Sequence, residues 1–255
     1  MIKKHFTDKE VLLFRDMGEI SAYIVQKWAE VAEREINRKN EFTVAVSGGR
    51  TPVHVHRALA SQKSFPWGKT HVFMVDERFV PYESDDNNFR MINESLLLHV
   101  GIPARNIHPI LTPDSSARDC ASKYEKDIVS FFKLPPGAFP NIDLVLLGIG
   151  EDGHTASLFP GTAALDDAIH IAIAVTPPDK SKQDRITMTF PVINNASNVM
   201  FLAAGESKAG ILREILKTKN RTLPAAMVNP RNGTVVFLVD KGAGSLLAGT
   251  AIERT

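Results

Sequence analysis

Short apolar runs alternate along the chain with stretches in which apolar residues recur at helical spacing. The runs are rich in β-branched residues, and most are followed by a helical stretch. Runs that are apolar at nearly every position suit parallel strands buried on both faces. The predicted strands are residues 42–46, 71–75, 143–147, 171–175, 199–203 and 235–239, and the predicted helices are 8–39, 51–60, 88–100, 115–132 and 207–217.

This alternation predicts an α/β fold with a doubly wound, mostly parallel, Rossmann-like sheet and helices on both faces. The chain has no internal repeat and no stretch long enough for a domain linker, so we expect one domain over residues 1–255. In open sheets of this kind, ligands bind at the carboxyl ends of the strands. Unusual residues follow three predicted strands, at 47–52, 76–81 and 148–160, and predict one composite site.

The composition argues against several classes of protein. Thirty Lys and Arg oppose 29 Asp and Glu, whereas proteins that bind nucleic acid usually carry a strong basic excess. The apolar runs are too short to span a membrane, and the first residues do not resemble a signal peptide. Cys120 is the only cysteine, so no internal disulfide can form and we expect a reducing, cytoplasmic compartment.

The first unusual turn, residues 47–52, reads Ser-Gly-Gly-Arg-Thr-Pro. Two glycines let the backbone approach a ligand, and proline suits the first turn of a helix. Free N–H groups and the helix dipole there would form a cradle for an anion such as phosphate. The alternatives are an ordinary strand-to-helix turn or a serine-hydrolase elbow, but Ala45 replaces the first glycine of that elbow.

The second turn, residues 76–81, reads Asp-Glu-Arg-Phe-Val-Pro. A carboxylate at a strand end, here Asp76, often takes part in acid–base chemistry, and Arg78 beside it can clamp a phosphate with two hydrogen bonds. The alternative is a surface ion pair. The polar run at 85–88 favours a functional site.

The third turn, residues 147–160, reads Leu-Gly-Ile-Gly-Glu-Asp-Gly-His-Thr-Ala-Ser-Leu-Phe-Pro. It contains the dinucleotide pattern Gly-x-Gly-x-x-Gly, yet Pro160 would end the helix that this pattern requires, and no acidic residue follows the next predicted strand. We therefore predict no NAD site. His154 is instead a candidate general base, with Asp152 as the carboxylate that orients it.

Two cations lie further along the chain. Arg185 precedes an alternating stretch, and Lys208 lies in the first turn of a predicted helix, where its charge opposes the helix dipole. A bound anion would relieve that conflict. The alternative for Lys208 is a solvated lysine.

These stretches together resemble the 6-phosphogluconolactonase family, which is related to the glucosamine-6-phosphate isomerases and deaminases. The matching segments are 47–52, 76–81, 148–160, 185–191 and 205–209, in the order in which the family has them. The signature Gly-x-Gly-x-Asp-Gly-His-Thr-Ala-Ser-Leu-Phe-Pro is specific, and it is complete here. One departure is Asn87, where the family usually has serine.

The resemblance implies hydrolysis of 6-phospho-D-glucono-1,5-lactone to 6-phosphogluconate in the oxidative pentose phosphate pathway. His154 would activate water for attack on C1 and return the proton to the ring oxygen, with Asp152 as its partner and Asp76 as a further catalytic group. The resemblance implies neither a metal nor a cofactor. The substrate-binding residues that it implies are Ser47, Gly48, Gly49, Arg50, Thr51, Arg78, Asn88, Arg185 and Lys208.

Two rival functions remain at the level of sequence. A glucosamine-6-phosphate deaminase would share the fold, the phosphate site and Asp76, but in the deaminases the loop after the histidine ends in a glutamate, where this chain has Phe159. A sugar-phosphate sensor should carry a DNA-binding module, for which residues 1–40 are too few. The expected partner is a small phosphosugar lactone, with neither nucleic acid nor membrane. The oligomeric state stays open, and a monomer is compatible with the sequence.

Overall fold

The structure, a computed structural model, describes residues 1–6, 9–112, 116–217 and 222–247. The strands are β1 Ile2–Phe6, β2 Lys9–Leu13, β3 Phe42–Val46, β4 Thr70–Met74, β5 Asp76–Arg78, β6 Ile107–His108, β7 Leu144–Gly148, β8 Ala172–Val175, β9 Arg185–Met188, β10 Asn198–Ala203 and β11 Thr234–Val239. The α-helices are α1 Met17–Lys39, α2 Arg50–Ala60, α3 Asn88–Ser95, α4 Ala117–Phe132, α5 Phe190–Ile193, α6 Ala209–Lys217 and α7 Pro224–Met227.

Eight strands form the main sheet in the order β1-β2-β11-β10-β7-β3-β4-β6. All neighbours in it are parallel except β1 and β2, which pair antiparallel at one edge. Every side chain of β3 is buried, and because successive side chains point to opposite faces, the sheet is covered on both. The predicted doubly wound, mostly parallel α/β fold is confirmed.

The direction of winding reverses between β3 and β7. From β3 the chain proceeds outward through β4 to β6, and it then returns to the other side of β3 for β7, β10 and β11. A crevice opens at such a reversal because the loops that follow the two strands diverge, and ligands bind there. The turns after β3 and β7 are two of the three turns singled out in the sequence.

A second sheet of three antiparallel strands, in the order β5-β9-β8, adjoins the carboxyl end of β4. The main-chain N–H of Met188 donates to the carbonyl oxygen of Val75, which lies between β4 and β5, at 2.9 Å. The expectation that residues 171–175 belong to the parallel sheet is therefore wrong. Only residues 176–184 separate β8 from β9, and a parallel crossover needs a dozen residues or more.

The predicted helix 8–39 is wrong over its first part. Residues 9–13 form β2, which pairs with β11, and its apolar Val11 and Leu12 are buried. The helix begins only at Met17, where Asp16 is the N-cap and accepts a hydrogen bond from the Glu19 N–H at 3.0 Å. Asp8, where the predicted helix began, lies outside the described residues. Pairing with a distant strand thus outweighs the local helical spacing.

The remaining boundaries differ by smaller amounts. The predicted helix 88–100 ends at Ser95 and continues as a 3-10 turn, Leu97–His99, and another 3-10 turn, Glu206–Lys208, precedes α6. Ser115, the predicted start of α4, is outside the described residues.

The buried apolar side chains form one core cluster, and the single domain over 1–255 stays a prediction. Among the described helices, none is long and apolar enough to cross a membrane.

Candidate active site

His154 and Asp152 form a hydrogen-bonded pair in the turn after β7. The Nδ1 atom of His154 lies 2.5 Å from Asp152 Oδ1, which also accepts the His154 main-chain N–H at 3.1 Å. Burial works against the ionised form of Asp152, but the hydrogen bonds from His154 outweigh it and lower the pKa of Asp152 to about 2. A carboxylate on Nδ1 keeps the proton there, so Nε2 is the nitrogen that can accept one.

Gly150 explains how the pair fits into so short a turn. A Cβ at this position would lie 2.2 Å from the His154 ring and 2.6 Å from Asp152 Oδ1. The Gly150 N–H also donates to the His154 carbonyl oxygen at 2.8 Å, which closes the turn. The middle glycine of the dinucleotide pattern therefore makes room for the imidazole.

Phe159 packs against the same imidazole. The ring centroids of His154 and Phe159 are 4.8 Å apart with an interplanar angle of 50°, and Phe159 is 7% exposed. An apolar ring at this position can neither exchange a proton with His154 nor compete with Asp152 for it.

Asp76 reaches the same region from the small sheet. It is the first residue of β5 and lies directly opposite Thr187 of β9. Its Oδ2 atom accepts a hydrogen bond from the Ser157 hydroxyl at 2.7 Å, and the main-chain N–H of Ser157 donates to Thr187 Oγ1 at 3.1 Å. The loop that carries His154 is thus bonded to the strands that carry Asp76, and both acidic candidates belong to one site.

Arg78 and Arg185 lie directly opposite each other in the β5–β9 pair. Neither guanidinium forms an ion pair with a carboxylate among the described residues, although Arg78 donates to the Asp86 carbonyl oxygen at 2.7 Å. The Nε atom of Arg185 is buried, and no described residue accepts its hydrogen bond. Burial, and then the charge of Arg78, lower the pKa of Arg185. Facing like charges destabilise a sheet, so this pair is suited to a bound anion.

The turn before α2 contributes backbone groups. The first N–H groups of a helix have no partner within it, and Pro52 has no N–H, which leaves those of Arg50 and Thr51. The Gly49 N–H donates to the thioether sulfur of Met91 at 3.2 Å, a weak acceptor that an anion can replace. Arg50 itself is exposed.

Ser47 differs from the other residues of this turn. It is buried, and its hydroxyl donates to the Leu146 carbonyl oxygen of β7 at 3.0 Å. The hydroxyl thus joins the two strands on either side of the crevice, and in this conformation its proton is not directed at a ligand.

Asn88, the first residue of α3, connects the turn before α2 with Asp76. Its Nδ2 donates to the Asp76 carbonyl oxygen at 3.0 Å, and its side chain lies so close to Gly48 that a Cβ there would be 2.1 Å from Oδ1. The preceding Asn87 is the N-cap of α3 and accepts the Arg90 N–H at 2.8 Å. Asn87, the one departure from the family pattern, therefore has a structural role.

Glu77 lies on the opposite face of β5, fully buried. Its carboxylate accepts the main-chain N–H groups of Arg78, Asn88 and Phe89, each at 2.7 Å. Burial raises the pKa of Glu77 to about 7, against the effect of these three donors. Glu77 anchors the start of α3 beneath the site and holds the backbone of two candidate binding residues.

Lys208 approaches the histidine loop from the turn before α6. Its Nζ atom is 4.0 Å from Glu151 Oε1, and its side chain is 20% exposed. Because Glu151 is largely exposed and the separation is long, this ion pair is weak and leaves the ammonium group available to an anion. Among the described residues, no three His, Cys, Asp or Glu side chains are grouped as metal ligands.

The structure therefore brings the three predicted turns and both later cations to one edge of the main sheet. Sequence reasoning missed Ser157, Thr187 and Glu77. Ser157 lies inside the histidine motif, so its position was visible, but its partner Asp76 is 81 residues away in sequence.

Comparison with known proteins finds relatives that match most of this chain. A family model described as glucosamine-6-phosphate isomerases/6-phosphogluconolactonase matches residues 15–237. A 6-phosphogluconolactonase from Synechocystis sp. is 39% identical over 242 residues, which cover 94% of this chain and 95% of that protein. The crystal structure of 6-phosphogluconolactonase from Thermotoga maritima aligns with a TM-score of 0.77 at 34% identity, over 91% of this chain and 99% of that one. The structure of a monomeric glucosamine-6-phosphate deaminase, 19% identical, shares the fold with a TM-score of 0.78, over 92% of this chain and 99% of that one.

Proposed function

The chain belongs to the family of glucosamine-6-phosphate isomerases and 6-phosphogluconolactonases, and we propose that it is a 6-phosphogluconolactonase. It hydrolyses 6-phospho-D-glucono-1,5-lactone to 6-phospho-D-gluconate, the lactone-opening step of the oxidative pentose phosphate pathway. The observation that carries this proposal is the His154–Asp152 pair at the reversal point of the sheet, in which no described residue forms a hydrogen bond with His154 Nε2.

The reaction needs one base and one returned proton. In our proposal, His154 Nε2 takes a proton from water as the water oxygen attacks C1 of the lactone, and Asp152 stabilises the imidazolium. The tetrahedral intermediate then collapses, the bond from C1 to the ring oxygen breaks, and the imidazolium gives its proton to that oxygen. The products are a carboxylic acid, which ionises at neutral pH, and a free hydroxyl group.

The phosphate is held away from this chemistry by cations and helix N–H groups. Arg78, Arg185 and Lys208 supply the positive charge, and the start of α2 supplies main-chain donors. The unpaired Arg185 Nε and the facing Arg78 support this assignment. Asp76 and Asn88 lie between the α2 turn and the histidine loop, where a carboxylate oxygen can accept from a sugar hydroxyl or from water.

The deaminase alternative is not favoured, because Phe159 packs on His154 where a relay carboxylate would be needed. Moving protons between C1 and C2 of an amino sugar requires more acid–base groups than the addition of one water. The expected partners are small phosphosugars, and we infer a cytoplasmic protein from the single cysteine, Cys120.

The test is a parallel assay of the purified protein on two substrates. Freshly made 6-phosphogluconolactone should open much faster than it hydrolyses spontaneously, and glucosamine 6-phosphate should release no measurable ammonia at high enzyme concentration. Ammonia release without lactone opening would overturn the assignment. Unphosphorylated gluconolactone serves as the control substrate and should react poorly, since it lacks the anion that the cations bind.

A further inference from the structure

We propose that Ser157 is a positioning residue for lactone hydrolysis: its hydroxyl holds the Asp76 carboxylate in the orientation in which Asp76 contacts the substrate. This inference rests on the proposed lactonase function. Ser157 does not reach the substrate itself, because its Oγ atom is engaged with Asp76 and the residue is only 2% exposed.

The hydrogen bond between the two side chains is short and shielded from water. Ser157 Oγ lies 2.7 Å from Asp76 Oδ2, and Asp76 is 8% exposed. Hydrogen bonds to an ionised group are stronger than those between neutral groups, and they strengthen further where water is excluded. The bond is therefore strong enough to fix the rotation of the carboxylate.

The direction of the bond follows from its two partners, because a carboxylate oxygen accepts and the Ser157 hydroxyl donates. Thr187 Oγ1 donates its proton to the Met188 carbonyl oxygen at 3.0 Å and accepts the Ser157 N–H at 3.1 Å. The Thr187 hydroxyl thus fixes the main chain of Ser157, and the Ser157 hydroxyl donates to the Asp76 carboxylate at 2.7 Å.

One carboxylate oxygen remains for the substrate. Among the described residues, none donates to Asp76 Oδ1, while Ser157 occupies Oδ2. The Asn88 amide holds the main chain of Asp76 at its carbonyl oxygen. With both its main chain and one carboxylate oxygen fixed, Asp76 presents Oδ1 to a sugar hydroxyl or to the attacking water in a single geometry.

The turn that carries Ser157 directly follows the base, His154. Residues 155–158 close with a hydrogen bond from the Leu158 N–H to the Thr155 carbonyl oxygen at 2.9 Å, and Ala156 takes a φ of 52°, which is uncommon for a residue other than glycine. This turn separates His154 from Ser157 by only two residues. It therefore sets the position of Asp76 relative to the imidazole.

The test is a double-mutant cycle of Ser157→Ala and Asp76→Asn, measured as kcat and KM on 6-phosphogluconolactone. Ser157→Ala should lower kcat/KM by about 10- to 100-fold, the equivalent of one hydrogen bond to a charged group. The loss should lie in kcat, with KM changed less than about threefold, because the phosphate contacts are intact. In the Asp76→Asn background, Ser157→Ala should lower kcat/KM by less than about threefold, because Ser157 acts through the carboxylate of Asp76.

Thr155→Ala is the matched control. It removes a buried hydroxyl from the same turn, but that hydroxyl donates to the Gly148 carbonyl oxygen at 2.9 Å and not to Asp76. Thr155→Ala should change kcat/KM by the same factor in the wild-type and in the Asp76→Asn background. Ser157→Thr restores a hydroxyl and should recover most of the activity lost in Ser157→Ala, with circular dichroism showing that all variants are folded.

The outcomes separate this inference from the function on which it rests. A wild-type protein that does not open the lactone contradicts the function. If the wild-type protein opens the lactone but Ser157→Ala lowers kcat/KM by the same factor whether residue 76 is Asp or Asn, only the positioning role is overturned. An Asp76→Asn variant with wild-type activity overturns that role as well, because there would then be no contact for Ser157 to position.

Discussion

Arg78 and Arg185 face each other across an antiparallel strand pair without a carboxylate in ion-pair contact with either among the described residues. The arrangement is unfavourable in the free protein and favourable once an anion lies between the two guanidinium groups. A substitution of one arginine should therefore affect stability and function in opposite directions.

The first prediction concerns Arg185→Gln. The variant should bind the phosphorylated transition state about 1.5–3 kcal/mol less well, as for a lost hydrogen bond to a charged group, measured as kcat/KM on 6-phosphogluconolactone. Without ligand its melting temperature should equal or exceed that of the wild type, because a partly buried, repelled charge has been removed. Arg57→Gln, at an exposed position on α2, is the control and should change neither quantity. A variant that is less stable but equally active would contradict the anion site.

The second prediction concerns the base. His154→Ala should lower kcat by roughly 10²- to 10⁴-fold, the usual contribution of a general base, while the protein stays folded. The chain offers a matched control in His170, whose Nδ1 lies 2.8 Å from Asp167 Oδ2 in a similar pair outside the site. His170→Ala should retain wild-type kcat. A folded His154→Ala variant within a few-fold of wild-type activity would rule out the proposed role.

The third prediction concerns Gly48. In Gly48→Ala the new methyl group would lie 2.1 Å from Asn88 Oδ1 and 2.9 Å from its Cβ, so the buried Asn88 side chain must move away from Asp76. We expect a loss of about 1–3 kcal/mol in the free energy of unfolding, as for an overpacked core, and at least a tenfold lower kcat/KM. Gly68→Ala, where a Cβ meets no atom within 4 Å, should be neutral in both measurements. Equal behaviour of the two variants would refute the close contact.

The fourth prediction concerns the pH dependence of stability. Burial lowers the pKa of His56 to about 4, from 6.5 in an unfolded chain. The unfolded state therefore binds a proton more readily, so the contribution of His56 to stability is complete above pH 6.5 and is lost as the pH falls towards 4. Between pH 7.5 and 5 this loss should be roughly 2 kcal/mol.

Urea unfolding at the two pH values measures this effect. Between pH 7.5 and 5 the free energy of unfolding of His56→Gln should fall by about 2 kcal/mol less than that of the wild type. The other titrating groups contribute equally to both proteins. His54→Gln, at an exposed position on the same helix, is the control and should follow the wild type. If the free energy of unfolding falls equally with pH in all three proteins, His56 is protonated without loss of stability.

Much of the candidate site could be predicted because its signals are local. His154 and Asp152 are two residues apart, and the glycines around them fix a turn that needs few distant contacts, although Leu223 packs against Gly153. Residues 42–46 were predicted as a strand with the bounds that the structure has, since a short, mostly apolar run between polar segments is typical of a buried strand. That Phe159 replaces the glutamate of the deaminases was inferred from the family resemblance, and its contact with the His154 ring is seen in the structure.

The errors occurred where a distant partner decides the conformation. Residues 9–13 have spacing compatible with a helix, but pairing with β11, more than 200 residues later, makes them a strand. Residues 171–175 have the composition of a parallel strand, yet the short return to Arg185 forces antiparallel pairing. Local pattern carries no information about either partner, because strand pairing depends on which segments the whole fold brings together.

The sequence by itself determined the alternation of strands and helices, the glycine-rich turns after β3 and β7 and the histidine–aspartate pair, because each depends on residues within a few positions of one another. Only the tertiary structure decided that Arg78 faces Arg185, that Ser157 holds Asp76 and that Asn88 lies against Gly48. Each of these contacts joins different secondary-structure elements or loops. Their geometry is fixed by strand register and packing, which no short stretch of sequence encodes.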